Sequence, residues 1–551
     1  MTLRPAVRDA AMRWIADDPD PATRTELQKV LAAAMAGDAT AADDVATRMA
    51  APLRFGTAGL RGPVRAGPAG MNVAVVRRTT AGLAAWLAGR LGAPVGAPSV
   101  LGGGGSVRPG PLVVVGRDAR RGSEAFAAAA AAVLAGAGFD TAVLPGPLPT
   151  PVLAFAVQHL GAAAGVQVTA SHNPPADNGY KVYLGAAVAP EAPGAQLVGP
   201  ADVQIEAMID AAPPAVDVPT APGARTVDVT EEYLDRVGRL GRGGELRIAL
   251  TPLHGVGGET AVHALRRAGF TDVHVVASQA APDPGFPTVA FPNPEERGAT
   301  DALLALAAEV DADLAIALDP DADRCALGIP SADGWRMLTG DETGVLLGDH
   351  LLRSRTGLVA TTVVSSSMLR AVAEAHGARY AETLTGFKHI VRAGEGLVFG
   401  YEEALGYCVD PDVVRDKDGI AAAMLACDLA AGLRAAGATL PDRLDELARV
   451  HGVHLTEGFS VWLDPPARDA TVARLAAAPP DGWSVQRPAP DIVVLRRPGE
   501  RLVVRPSGTE PKLKAYLEVV EPPADDVAAA RARAVGRLAE LRTTAEALLA
   551  P

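Results

Sequence analysis

Cysteine is scarce in this chain of 551 residues: Cys325, Cys408 and Cys427 are scattered, with no Cys-x-x-Cys pair. An odd, dispersed set gives no disulfide framework, so a reducing cytoplasm is the expected compartment. Aromatic residues are only 4% of the chain, so its cores must be built from Val, Leu, Ala and Ile. No uncharged apolar stretch approaches the roughly 18 residues of a bilayer span, and the Ala-rich run Ala125–Ala137 reads as a buried helix. The first residues carry Arg4, Arg8, Asp9, Arg13 and Asp17 and lack the apolar region of a signal peptide. Net positive charge is also missing: 51 basic against 64 acidic side chains leave −13. That field argues against nucleic acid and anionic membrane as partners, and any anionic substrate would need a local basic pocket.

What is present is an ordinary globular composition, 48% hydrophobic and 21% charged. The length exceeds the roughly 250–300 residues at which single cores stop growing, so several domains are expected. Thr25–Ala36 predicts an N-terminal helix, and the Gly/Pro-rich stretch Gly92–Gly110 a flexible surface insertion. Three units repeat a short apolar strand, a polar or glycine-bearing turn and an Ala-rich helix. They are Pro111–Val115 with Gly116–Arg120, Leu246–Leu250 with Thr251–Gly255, and Leu358–Val364 with Ser365–Ser367. Such alternation predicts three similar α/β domains with functional loops at the strands' carboxyl ends. The tail reads differently, with strands at Val453–Leu463, Ile492–Arg496 and Arg501–Val504 and a terminal helix Ala524–Leu549. The expected divisions are 1–222, 223–338, 339–452 and 453–551, the last a smaller α+β domain.

Four loops carry the chemistry. The apolar run Ala164–Val168 enters Thr169-Ala-Ser-His-Asn-Pro-Pro175, whose prolines stop a helix or central strand and leave Ser171 displayed at a strand end. Gly-x-Ser-x-Gly is absent, since 169 and 173 are Thr and Asn, so a serine hydrolase is a poor fit. A serine that carries phosphate remains, with Lys181 close enough in sequence to fold back on it and His172 adjacent. The second run, Leu314–Leu318, ends in Asp319-Pro-Asp-Ala-Asp-Arg324. Three carboxylates so close repel without a cation, and hard oxygen ligands suit Mg²⁺. An EF-hand loop is excluded, because Arg324 and Pro330 stand where Gly and Glu are required. The third, Phe399–Tyr407, holds Glu402 and Glu403 in a glycine-flanked turn suited to gripping sugar hydroxyls, near Lys388 and Asp416-Lys-Asp-Gly419. The fourth, Arg505-Pro-Ser-Gly-Thr-Glu-Pro511, offers one guanidinium, two hydroxyls and glycine backbone for a phosphate.

In this order, over about residues 50 to 520, these segments resemble the α-D-phosphohexomutase superfamily of phosphoglucomutases and phosphomannomutases. The segments Phe55-Gly-Thr-Ala-Gly-Leu-Arg61, Asp283–Thr288, Phe291–Glu296 and Thr385-Gly-Phe-Lys388 look like its phosphoglucomutase 2 and phosphopentomutase branch. The resemblance implies four domains around a central cleft, three similar mixed-sheet α/β domains plus a smaller, mobile C-terminal α+β domain, each giving one loop. It implies an enzyme that moves a phosphoryl group between two hydroxyls of one sugar. Phospho-Ser171 donates to a sugar monophosphate, the hexose 1,6-bisphosphate reorients in the cleft, and its other phosphate returns to Ser171. In that scheme Ser171, Asp319, Asp321 and Asp323 bind one Mg²⁺. Arg61 and Arg324 flank the transferred group, and Lys181 or His172 is the general acid/base. Lys388, Glu402 and Glu403 hold the sugar, while Arg505, Ser507, Gly508 and Thr509 hold the unreactive phosphate.

One departure bears on specificity: Glu402-Glu-Ala-Leu-Gly406 stands where many hexomutases have Gly-Glu-x-Ser-Gly. Glucose phosphates are expected first, mannose second and pentose phosphates third. Alternatives are a glucose 1,6-bisphosphate synthase and an inactive phosphosugar-binding protein. The expected partner is a small phosphosugar, with the chain a monomer or dimer.

Overall fold

The computed structural model describes residues 3–56, 59–92, 110–507 and 511–550. The expected insertion lies, apart from its ends Gly92 and Gly110, outside the described residues. The N-terminal helix runs Pro21–Met35, earlier than Thr25, because Pro21 suits a first helical turn and the Asp20 carboxylate accepts the Ala22 N–H. With Pro5–Asp17 and Ala39–Arg48 it buries Leu27, Leu31 and Val45 in a small cluster of its own.

Three sheets share one plan. In the first, Leu112–Arg117 lies parallel between Asp140–Pro147 and Ala164–Val168, and Asp177–Leu184 then returns antiparallel to Ala164–Val168. In the second, Ile248–Thr251 lies parallel between Val273–Val275 and Leu314–Leu318, and Cys325–Ser331 returns antiparallel. In the third, Leu358–Thr362 lies parallel between Arg379–Thr383 and Leu397–Glu402, and Gly406–Cys408 returns antiparallel. The serine, aspartate and glutamate loops are therefore the same element three times: the turn between a central strand and its antiparallel neighbour. Ala164–Val168, Leu314–Leu318 and Leu358–Thr362 are buried throughout; strands covered on both faces are mainly apolar, and among their polar members Gln167 and Thr361 donate to the carbonyls of Leu148 and Tyr401. The fourth sheet is antiparallel throughout, in the order Val453–Trp462, Lys512–Glu521, Glu500–Pro506, Ile492–Arg497, Ser484–Ala489.

The segments are less separate than the sequence suggests. Arg225–Thr226, past the division expected at 222, pairs with Asp140–Pro147 in the first sheet. Helix Gly419–Ala435, from the third segment, packs on helix Gly257–Arg267 and on strands Leu314–Leu318 and Cys325–Ser331 of the second. One apolar cluster runs from Leu144 and Tyr233 through Ile316 and Phe399 to Leu440. No single helix among the described residues is long and apolar enough to cross a membrane. The fourth domain docks on the third through Arg501 and Glu518, partners on its own sheet that form a buried ion pair at 2.8 Å, with Arg501 donating to Val363 O and Ser365 O of the third. Glu518 also accepts from the Ser367 N–H and the Ser366 hydroxyl. Burial would raise the Glu518 pKa, but Arg501 and His454 outweigh it and hold the group at about 2.

Ile316 sits fully buried in the middle of Leu314–Leu318. Ile316→Ala is expected to cost about 2–5 kcal/mol of the surrounding unit's stability. A fall in its urea midpoint, with the slope unchanged, is the measurement.

Candidate active site

The serine loop leaves the sheet in a strained conformation. Ser171 has φ 52°, the left-handed region that side chains with a Cβ avoid, at a cost of order 1–3 kcal/mol. The other two turns repeat this, at Ala322 with φ 55° and Leu405 with φ 64°. The Ser171 N–H donates to Thr169 Oγ1, and its Oγ donates to Asp319 Oδ2 at 2.7 Å. A hydroxyl and a carboxylate 148 positions apart are thus in direct contact.

Asp319, Asp321 and Asp323 are buried, each with a carboxylate oxygen within 4.8 Å of the others. Lys181 Nζ reaches Asp321 Oδ2 at 2.7 Å and Asp323 Oδ2 at 2.8 Å. Lys417 Nζ lies 3.2 Å from Asp323 Oδ2, and Thr150 Oγ1 donates to Asp321 Oδ2 at 2.6 Å. Burial pushes all three carboxyls up, and neighbouring aspartates add to this at Asp319 and Asp321. Lys181 pulls Asp321 and Asp323 below the usual carboxylate range, while Asp319 stays well above it. Asp321 Oδ1 and Asp323 Oδ1 are buried with no hydrogen-bond partner. Orphaned anionic oxygens beside a serine hydroxyl are the hard donors Mg²⁺ prefers, so this set fits that ion.

The metal loop is joined to the sugar loop by backbone. Arg324 and Gly406 form a β-bridge, the Cys325 N–H donates to Leu405 O, and Arg324 Nη1 donates to Ala404 O at 2.9 Å. Burial weakens the Arg324 guanidinium, but Glu402, Asp323, Asp319 and Glu295 more than restore it, so its charge is secure. Glu403 accepts from Thr362 Oγ1 at 3.2 Å and Ser365 Oγ at 3.1 Å. Burial, Glu402 and Asp341 raise its pKa to about 7. Glu403 lines a cavity of 600 Å³ with Glu295, Lys514 and Tyr516. Arg505 donates to Tyr516 Oη at 3.0 Å, which brings the phosphate loop to the same cavity.

The remaining expected residues divide. Arg61 Nη1 donates to Asn173 Oδ1 on the serine loop. His172 has its Nδ1 buried without a partner, and burial with Arg324 and Arg61 lowers its pKa well below the usual value. Ser507 is buried and its N–H donates to Lys512 O. Lys388, on the short helix Phe387–Ile390, faces Asp202 of the first domain, with Nζ 4.0 Å from Oδ2. Gly508 and Thr509 lie outside the described residues, as do Thr57 and Ala58 of the Phe55–Arg61 segment.

Sequence reasoning assigned no role to Lys417, Thr150, Arg120 and Ser365. Arg120 and Ser365 lie in the first turns of the repeated strand-turn-helix units, and each of those turns backs a functional loop. Arg120 donates to carbonyls of the serine loop, Val256 N–H donates to Pro320 O, and Ser365 donates to Glu403. The repeat itself was the available signal.

Lys181→Met would remove the cation shared by Asp321 and Asp323, leaving Asp323 with Lys417 but Asp321 without its buried ion pair, a loss of about 3–5 kcal/mol. The expected result is a lower melting temperature in EDTA, with Mg²⁺ raising that temperature more in the variant than in the wild type.

Family models for phosphoglucomutase/phosphomannomutase match the chain in order: α/β/α domain I at 52–209, II at 231–331, III at 339–450 and the C-terminal domain at 469–534. A Haemophilus influenzae protein named a probable phosphomannomutase is 41% identical, covering 82% of this chain and 93% of its own. A Schizosaccharomyces pombe protein named a probable phosphoribomutase is 31% identical, covering 94% of each. A crystal structure of a Burkholderia thailandensis phosphoglucomutase/phosphomannomutase family protein shares the fold with a TM-score of 0.68. It is 21% identical and covers 89% of this chain and 97% of its own. With all four domains matched in sequence order, the chain belongs to the phosphoglucomutase/phosphomannomutase family of α-D-phosphohexomutases and is an enzyme of that intramolecular phosphotransferase class.

Proposed function

We propose that this enzyme interconverts hexose 1-phosphate and hexose 6-phosphate, glucose before mannose, through phospho-Ser171 and a hexose 1,6-bisphosphate. The observation that carries the reading is the 2.7 Å contact of the Ser171 hydroxyl with Asp319, at the edge of a buried carboxylate triad with unpaired oxygens. Asp319, Asp321, Asp323 and an oxygen on Ser171 would hold Mg²⁺, which supplies charge neutralisation to the phosphoryl group. Phosphoryl transfer needs little covalent help and much positioning and electrostatic support. Arg61, bonded to Asn173, and Arg324, bonded to Ala404 O, supply positive charge near His172 of the serine loop. The accepting hydroxyl must lose a proton: His172, adjacent to Ser171 and kept uncharged by burial, can take it directly, whereas Lys181, bonded to Asp321 and Asp323, must first give up its own. Glu402 and Glu403 accept from sugar hydroxyls, and Arg505 and Ser507 bind the phosphate at the far end.

A pentose reading has specific support: relatives at 31% and 29% identity are named phosphoribomutase and phosphopentomutase. The sugar loop departs from the common hexomutase pattern, with Leu405 where serine is usual, and that departure points to no one sugar. A panel of glucose, mannose, glucosamine and ribose 1-phosphates, each with Mg²⁺ and a trace of bisphosphate, decides between them. Glucose is expected to give the highest kcat/KM, and a preference for ribose would overturn the hexose assignment. Steady release of bisphosphate in place of monophosphate would mark a synthase. Ser171→Ala is expected to abolish turnover on every substrate, and full activity in it would reject the phosphoserine route.

Glu403 titrates near neutrality, at about 7, because burial and two carboxylate neighbours favour its protonated form. The anion accepts sugar hydroxyls on both oxygens and more strongly than the acid does, so KM for the sugar phosphate should rise as pH falls through about 7. Glu403→Gln should show a higher KM that no longer changes across that interval.

A further inference from the structure

Ser171 holds a left-handed backbone although it is not glycine, so its surroundings must impose that conformation. One side chain does most of this. Arg120 Nη2 donates to Ser171 O at 2.5 Å and Asn173 O at 2.6 Å, and Nη1 donates to Pro174 O at 2.9 Å and Asp177 O at 3.1 Å. A guanidinium has the fixed fork of donors that this needs, and an ammonium does not. The Arg120 side chain is 1% exposed, and its only carboxylate within 4 Å among the described ion pairs is Asp118, at 3.6 Å from Nε.

The guanidinium is covered by the second domain. The ring of Phe286 lies with its centroid 4.9 Å from the Arg120 carbon, and Phe286 is itself buried with φ 48°. A desolvated cation on an aromatic face is held more strongly than one in water. The turn carrying Phe286 is pinned at both ends. The Asp283 N–H donates to His254 O, and Thr288 Oγ1 bonds His254 Nε2 at 2.8 Å and accepts from Gln279 Nε2 at 2.9 Å. His254 belongs to the turn Thr251–Gly255, beside the Val256 N–H that holds Pro320 of the metal loop. Phe286 is thus rigidly tied to the element that carries Asp319.

We propose that Phe286 and Arg120 are an interdomain positioning pair, which sets the register of the Ser171 loop against the Asp319–Asp323 loop. The proposal deepens the phosphoserine reading and rests on it for its kinetic consequence. Arg120 shapes the serine loop from behind, and Phe286 fixes Arg120 relative to the metal loop. Neither touches substrate. When the ring is lost the guanidinium gains freedom, and the contact between Ser171 and the triad loosens while the sugar and phosphate grips stay intact.

The test is Phe286→Leu, which keeps apolar bulk but removes the π face, with Phe286→Tyr as the conservative control. Phe286→Leu is expected to lower kcat about 10-fold, with KM for the sugar monophosphate changed less than 2-fold and Phe286→Tyr close to wild type. Single-turnover phosphorylation of Ser171 by glucose 1,6-bisphosphate should slow by the same factor. The second readout is amide hydrogen exchange of residues 169–178, which needs no turnover. Exchange there should rise several-fold in Phe286→Leu and return in Phe286→Tyr, with strand Leu314–Leu318 unchanged. Unaltered exchange in 169–178, or a loss of kcat matched by a global fall in protection, overturns the proposal. If the wild type turned over no sugar phosphate yet the segment loosened in Phe286→Leu, the positioning pair would stand and the mutase reading would fall.

Discussion

Three carboxylates held out of water in one turn are the constraint around which this protein is arranged. Asp319, Asp321 and Asp323 are each at most 1% exposed, and alone such a cluster would be prohibitive. Charge balance comes from other domains. Lys181 arrives from the first, Lys417 from the third, and Arg324, next in sequence, is held by the sugar loop's carbonyl at Ala404. The same pairs that neutralise the turn therefore fasten three domains to one another. Burying one domain's acid against another's base makes the cleft geometry a consequence of electrostatics.

The global charge of −13 and the local basic lining are two sides of this arrangement. Arg61, Arg120, Lys181, Arg324 and Lys417 all gather near the serine and aspartate loops, and Arg505 bonds Tyr516 at the cavity beside Glu403. The lysines there balance the aspartate turn, and Arg61 and Arg324 remain as fixed guanidinium groups beside the serine and aspartate loops. A concentrated positive lining pre-organised by fixed partners is the feature phosphoryl transfer requires.

The three α/β domains repeat a device as well as a topology. Each central strand ends in a turn with one non-glycine residue in the left-handed region, at Ser171, Ala322 and Leu405. Each turn is backed by the first loop of its own domain. The apolar runs and the loop chemistry were legible because strands buried on both faces are mainly apolar and because phosphate and metal ligands come from few residue types. Ala164–Val168 and Leu314–Leu318 have the bounds the apolar pattern implied. The joins were not legible. Arg225–Thr226 completes a sheet across the expected division, and Gly419–Ala435 serves the second domain's core from the third segment, because packing does not respect chain order.

By itself the sequence determined the cast: a displayed serine, an acidic triplet, a glutamate turn, an arginine-serine turn, and the resemblance their order carries. Local composition decides such things, since strand burial, turn residues and ligand type are properties of a few adjacent positions. Tertiary structure alone decided which of them meet. It put Ser171 against Asp319, Lys181 between two aspartates, Lys388 beside Asp202, and Phe286 over Arg120. Those contacts join residues far apart in sequence across domain boundaries. Only the packing of whole sheets and helices fixes distances on that scale.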